Sequence, residues 1–245
     1  MDLASYLWGG VSALLVGLSK TGLPGVSIPA ILLMTEAFPR DAKLAIGAIL
    51  PVLLVGDVLA VAWYRHHAQW DRLWRLFPYV AAGMVPGWIV LRLLKEGNDL
   101  RPLLGVLILA LLALEACRQA FDWQRVPGRW WFVAVMGLLA GFSTIIAHAA
   151  VPVMAIYLVS QGLPKQQFIG TAAWFFLLIN LTKVPFYATE GMMTAETLRF
   201  DAVVGPLAVV GGLLGVFVLT RIPQKLFDTL ALGLAGVAAV RLILV

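Results

Sequence analysis

The chain has 245 residues, of which 61% are hydrophobic and only 13% are charged, and its formal net charge is +5. Soluble domains carry about 25% charged and about 45–50% apolar residues, so this composition excludes an ordinary soluble fold. The basic residues form no continuous stripe of the kind that binds nucleic acid, so nucleic acid is not an expected partner. The sequence predicts an all-α polytopic protein that spans the lipid bilayer of the cell inner membrane.

Charged and polar breaks divide the chain into apolar segments, with boundaries accurate to a few residues. In chain order the segments are Leu3–Leu18, Pro24–Thr35, Ala42–Tyr64, Leu73–Leu94, Pro102–Gln119, Trp130–Ile145, Ala150–Ser160, Phe168–Ala188, Leu198–Leu219 and Lys225–Leu244. A bilayer core of about 30 Å needs a helix of about 20 residues. Pro24–Thr35 and Ala150–Ser160 are too short to cross it upright, and each follows a break rich in polar or small residues.

The two halves of the chain repeat one another. Matching positions keep the same order in both halves and are Gly17 with Gly141, Ser19 with Ser143, Asp57 with Asn180, Tyr64 with Tyr187, and Pro78 with Pro206. The last pair opens a Pro-x4-Gly-x3-Gly motif, which is typical of closely packed membrane helices. This series predicts two transmembrane repeats, residues 1–120 and 130–245, joined by a linker at 121–129.

The relative orientation of the repeats depends on the two short segments. In one arrangement, the first helix and the short segment of each half form a hairpin that enters and leaves the membrane on the same side, and three spans follow. The chain then crosses the membrane an odd number of times in the first half. The second half therefore begins on the opposite face, and the repeats are inverted. If the first two segments of a half form one broken span, the repeats are parallel. Those two segments total about 30 residues, or about 45 Å of helix, which is long for one crossing. Inverted repeats with eight to ten membrane segments are therefore favoured.

The stretch "GLSKTGLPGVSIP", from Gly17 to Pro29, interrupts the apolar N-terminus. Irregular backbone persists in a bilayer only where protein or a water-filled cavity surrounds it. A break here leaves the N–H groups of the next helix free to point at an anion. The candidate ligands are Ser19, Lys20, Thr21 and Gly22. In the alternative interpretation, Lys20 reaches to the membrane interface and the glycines only kink a helix.

The second half supplies "GFSTIIAHAAVP", in which Ser143 and Thr144 stand at the positions of Ser19 and Lys20. His148 adds an imidazole near the following half-helix. An ionisable residue within a membrane segment is costly, which favours a functional role. The alternative is a structural histidine that bonds a neighbouring carbonyl.

Three further polar residues lie inside apolar segments. Asn180 and Lys183 are three residues apart and so share one helix face. In the functional interpretation both face the substrate, whereas Asp57 balances charge or, like His148, carries a proton. In the structural interpretation, Asp57 and Lys183 form an ion pair.

These motifs resemble the TauE/SafE family of anion exporters, also called the 4-toluene sulfonate uptake permease family. "GLSKTGLPGVSIP" resembles its first-repeat signature, and "IAHAAVPVMAIYLVSQGLPKQQFIGTAAWFFLLINLTKVPFY", from Ile146 to Tyr187, resembles its second. Thr21 stands where the family often has glycine. The resemblance covers nearly the whole chain and implies export of sulfite, sulfoacetate or a related organosulfonate, with proton coupling as an option.

The leading hypothesis is therefore a secondary transporter for a small sulfur-containing anion. A passive anion channel remains an alternative, and an intramembrane enzyme is a weaker one. The sequence has no Gly-x-Ser-x-Gly elbow and no His-Glu-x-x-His zinc helix, so no catalytic residue, metal or cofactor is expected. The expected partners are the anionic substrate and the lipid bilayer, with a homodimer left open.

Overall fold

The computed structural model describes residues 2–22, 26–93, 130–163 and 165–218, together with 102–103, 106–107, 109–110, 113 and 117. The elements within this part are helical. They are α1 (Leu3–Thr21), α2 (Ser27–Ala37), α3 (Ala42–Tyr64), α4 (Trp70–Leu93), α5 (Trp130–Ala147), α6 (Val151–Ser160), α7 (Lys165–Thr189) and α8 (Ala195–Val218). A 3₁₀ turn at Arg65–His67 joins α3 to α4.

Within the described residues, five helices are long and apolar enough to cross a membrane. They cover Ala42–His67, Trp70–Leu93, Trp130–Ala147, Gln167–Thr189 and Ala195–Phe217. The prediction of an all-α, multi-pass membrane protein is confirmed. The predicted segment Lys225–Leu244 lies outside the described residues, and Pro102–Gln119 does so apart from isolated positions.

The first backbone break begins later than the sequence predicted. Helix α1 continues through Lys20 to Thr21, and the Gly22 N–H still donates to the carbonyl of Leu18 at 3.2 Å. Lysine is a good helix former, and the Thr21 hydroxyl contacts the Gly17 carbonyl one turn earlier at 3.4 Å. The predicted ligands therefore project from a helical turn, and the interruption starts at Gly22.

Two hydrophobic cores divide the helices into two bundles. The first core takes buried side chains from α1, α2, α3 and α8. The second takes them from α4, α5, α6 and α7, with a few from α3. Each bundle thus combines three helices of one predicted repeat with the fourth helix of the other. This exchange makes α3 and α7 the helices that meet between the bundles.

The same close helix packing occurs in both bundles. Helix α1 packs against α8, and its counterpart α5 packs against α4. Backbones approach at Gly17 against Ala208, Gly211 against Leu14, Gly141 against Val80, and Gly83 against Leu138. At each position a Cβ atom would collide with the opposing carbonyl oxygen. The predicted packing role of the Pro-x4-Gly-x3-Gly glycines is confirmed, because only a residue without a side chain fits there.

The contacts between α3 and α7 also report the direction of the two helices. Asp57 meets Asn180, whereas Val61, one turn later, clusters with Ala173. The helices are therefore antiparallel although they occupy equivalent places in the two predicted repeats. Antiparallel equivalents are what inverted repeats produce, so this contact supports the inversion. The inversion and the repeat boundaries at 1–120 and 130–245 stay predictions.

Candidate functional site

Each half has a tyrosine that secures the end of the helix before the break. The Tyr64 hydroxyl donates to the carbonyl of Thr21 at 3.2 Å, and the Tyr187 hydroxyl donates to the carbonyl of Ile145 at 2.6 Å. Carbonyls in the last turn of a helix lack partners within that helix, so each tyrosine satisfies one of them. The two breaks therefore share one structural scaffold.

The first break delivers a lysine to a buried carboxylate between the bundles. Lys20 Nζ lies 2.6 Å from Asp57 Oδ1, with the two side chains 7% and 0% exposed. The Asn180 amide donates to the other oxygen of Asp57 at 2.5 Å. Lys20 Nζ also lies 4.4 Å from the centre of the Phe176 ring, a cation–π distance. Asp57 thus joins α1, α3 and α7.

A second lysine, Lys183 on α7, forms hydrogen bonds with the second break, between α5 and α6. It is fully buried, and its ammonium donates to the Thr144 hydroxyl at 3.1 Å and to the Thr144 carbonyl at 3.3 Å. Its third contact is His148 Nδ1 at 2.6 Å. An ammonium has three N–H donors, and these acceptors account for all of them. Lys183 therefore fastens α7 to the end of α5.

His148 connects the two bundles through its ring. Its Nε2 lies 3.0 Å from the carbonyl oxygen of Ile46 on α3. Because a carbonyl only accepts, we assign the ring proton to Nε2, which leaves Nδ1 free to accept from Lys183. His148 also has a φ of 50°, a left-handed value that turns the chain between α5 and α6. The ring is therefore held as a neutral tautomer within the break.

Two of the structural alternatives for these residues are wrong. Lys20 does not reach to the membrane interface but turns inward to Asp57. The ion pair of Asp57 is with Lys20, not with Lys183. The sequence could not decide between the two lysines, because the end of α1 reaches Asp57 only through the packing of α1 on α3.

The remaining candidate ligands point elsewhere or form backbone contacts. The Thr21 hydroxyl donates to the Gly212 carbonyl of α8 at 2.8 Å, and the Ser143 hydroxyl donates to Ala140 within α5 at 3.4 Å. Ser19 is 4% exposed in α1, and Gly22 caps that helix. The contacts form two clusters, one of Lys20, Asp57 and Asn180 and one of Lys183, Thr144 and His148, and helix α7 contributes one residue to each. Together we call these two clusters the network. Their roles as ligands stay predictions.

The two lysines and one aspartate of this network leave one uncompensated positive charge when all three are ionised. The described residues include no group of three or more His, Cys, Asp or Glu side chains that could hold a metal ion. Fixed positive charge and hydrogen-bond donors at a buried place suit a small anion. Sequence reasoning missed Phe176, which lies beside Lys20, and also the buried Asp201 in α8. The sequence could have indicated Asp201, because a carboxylate within the apolar segment Leu198–Leu219 is a candidate functional residue.

Comparison with known families decides the class of protein. Residues 5–242 match the family model described as Sulfite exporter TauE/SafE. The chain belongs to the TauE/SafE sulfite exporter family. The resemblance of its two motifs is thereby confirmed, and this TauE/SafE protein belongs to a class of membrane transporters, not of enzymes. Comparison with curated proteins and with solved structures gives no significant match.

Proposed function

We propose that this TauE/SafE protein exports a small sulfur-containing anion, namely sulfite, sulfoacetate or a related organosulfonate, across the cell inner membrane. The observation that carries the proposal is the pair of buried lysines between the two bundles, Lys20 beside Asp57 and Lys183 beside Thr144 and His148. An anion that leaves water loses hydration, which fixed charges and hydrogen-bond donors must replace. The network supplies both at the place where the halves meet.

Lys20 is the cation that we assign to direct contact with the anion. Among the described residues its ammonium contacts Asp57 and the ring of Phe176, so not every N–H is bound to an acceptor. The three donors of Lys183 are already engaged by Thr144 and His148. We infer that Lys183 contributes positive charge to the anion site and fixes its shape without contacting the anion. Asn180 lies beside it on the same face of α7.

Asp57 gives the site a basis for proton coupling. An anion that approaches Lys20 competes with the Asp57 carboxylate, which already lies 2.6 Å from the ammonium. Protonation of Asp57 removes its negative charge and releases Lys20 to the substrate. Proton binding and release at Asp57 in each cycle would then couple proton movement to anion movement, which is the coupling that the resemblance left open.

Flux measurements on the purified protein in proteoliposomes test this function. Sulfite and several sulfonates are supplied under imposed pH gradients, and we expect the anion flux to follow the proton gradient. Asp57→Asn removes the titrating group and should abolish the dependence on pH. Arg75→Ala is the control, because Arg75 is exposed and its charge is screened by water and salt. Anion current that ignores the pH gradient would favour a channel, and absence of flux for every sulfur anion would overturn the proposal.

A further inference from the structure

A second buried carboxylate lies on α8, away from the network around Lys20. Asp201 is only 7% exposed, and neither of its carboxyl oxygens has a hydrogen-bond partner among the described residues. No ion pair involves it within the described part of the chain. The Thr197 hydroxyl, one turn earlier, does not donate to Asp201, because it donates to the Thr194 carbonyl and accepts from the Thr194 N–H.

Among the described residues, no basic side chain is paired with Asp201. Helix α8 packs against α1 and α3. The ionisable side chains on these helices are Tyr6 and Lys20 on α1, Lys43, Asp57 and Tyr64 on α3, and Glu196 and Arg199 on α8 itself. Lys20 and Asp57 pair with each other, and both Glu196 and Arg199 are exposed. A carboxylate buried in this way is far more costly than the neutral acid.

There is also free space one turn further along α8. Gly205 lies four residues after Asp201 and so on the same face of α8. A Cβ atom built on Gly205 would meet no atom within 4 Å, although Gly205 is itself buried. A metal cation would need several oxygen ligands, and the described residues include no group of three or more His, Cys, Asp or Glu side chains at Asp201. The ligand that fits a lone carboxylate is a proton.

We propose that Asp201 is a proton-binding site separate from the Lys20–Asp57 network. In this conformation the group is the neutral acid, closed off from water by the packing of α8 on α1 and α3. A conformation that admits water beside Gly205 would let it ionise. Proton release at Asp201 is therefore linked to movement of α8 relative to those two helices.

Infrared difference spectroscopy of the reconstituted protein tests this proposal without any transport assay. We expect a carbonyl band of a protonated carboxyl group at neutral pH that disappears in Asp201→Asn. The matched control is Glu196→Gln on the same helix, which removes an exposed carboxylate and should leave the band unchanged. An identical band in wild type and Asp201→Asn, or no such band in wild type, would overturn the proposal.

A second variant covers the case in which Asp201→Asn does not fold. Asp201→Glu keeps the acid and adds one methylene. The band should persist and shift in frequency, and an unshifted band would assign it to another residue. Anion binding in Asp201→Asn should stay within about twofold of wild type, because Asp201 does not contact Lys20 or Lys183. The infrared result does not depend on which anion the protein transports. A negative transport assay would therefore leave the Asp201 proposal standing, and loss of the Asp201 proposal would leave the proposed transport function standing.

Discussion

The two breaks in the membrane helices share a backbone scaffold but differ in their polar side chains. Tyr64 and Tyr187 bond equivalent carbonyls, those of Thr21 and Ile145. The helix before the first break carries Lys20 in its last turn, whereas Thr144 occupies the matching position before the second break. The second half obtains its cation from Lys183 on α7 instead. The repeat has therefore preserved the architecture and changed the chemistry.

The two lysines have different contacts, which indicates that Lys20 binds the anion and Lys183 supports the structure of the second break. Lys20 contacts one carboxylate and an aromatic ring, an arrangement that an incoming anion can replace. Lys183 has each of its donors on an acceptor from the second break. We therefore expect Lys20, near the first break, to exchange Asp57 for the anion. We expect Lys183, at the second break, to keep its partners while the anion binds. Four sets of variants test this comparison.

The largest effect is expected for Lys20→Met. Removing one member of a buried ion pair leaves an uncompensated charge, which costs about 3–5 kcal/mol in free energy of unfolding. Adding Asp57→Asn should recover most of that loss, since Asn180 can still donate to the new amide, while neither variant binds the anion. Denaturant unfolding in micelles and anion binding measure the two effects. If Lys20→Met were as stable as wild type, the ion pair would contribute little.

Lys183→Met should chiefly affect the second break. Hydrogen bonds to charged groups contribute about 1.5–3 kcal/mol each, and the variant loses those to Thr144 and His148. Anion affinity should fall less than in Lys20→Met. The control Thr144→Val preserves the contact of Lys183 with His148 and should have a smaller effect on unfolding. A variant with normal stability and no anion binding would instead make Lys183 a direct ligand.

Gly17→Ala and Gly141→Ala test whether the two scaffolds are equivalent. Each adds a Cβ atom that collides with a backbone carbonyl, of Ala208 or Val80, and overpacking of this kind costs about 1–3 kcal/mol. Similar losses of thermal stability are expected in both. Gly205→Ala is the control, because its Cβ meets nothing within 4 Å and alanine favours a helix by about 0.5–1 kcal/mol. Clearly unequal losses at Gly17 and Gly141 would contradict the shared scaffold.

The smallest effect is expected for Tyr64→Phe and Tyr187→Phe. Each variant loses the hydrogen bond to the helix end, worth about 0.5–1.5 kcal/mol, and Tyr187→Phe also loses the 3.4 Å contact of the hydroxyl with His148 Nε2. The loss should be greater at Tyr187, which is 0% exposed, because no water can reach the freed carbonyl of Ile145. Tyr64 is only partly buried. Thermal unfolding of both variants under identical conditions provides the measurement, and a larger loss at Tyr64 would contradict the role of burial.

The sequence was sufficient for the features that depend on local composition. Apolar runs of the right length predicted α3, whose bounds Ala42–Tyr64 agree with the structure, and the other described spans to within a few residues. Matching residues in the two halves, such as Asp57 and Asn180, identified positions that do lie in contact. The start of the first break was misplaced, because glycine and polar residues near a helix end do not reveal how far its hydrogen bonding continues.

Length, hydrophobicity and repeated motifs thus determined by themselves that the chain is a helical membrane protein of this family, since the bilayer requires long apolar helices whatever their neighbours. Only the tertiary structure decided that Lys20 rather than Lys183 pairs with Asp57, and that Lys183 instead holds Thr144 and His148. Those partners come from helices distant in the chain. Short-range electrostatic contacts depend on ångström-scale distances between packed helices, which no spacing along the sequence specifies.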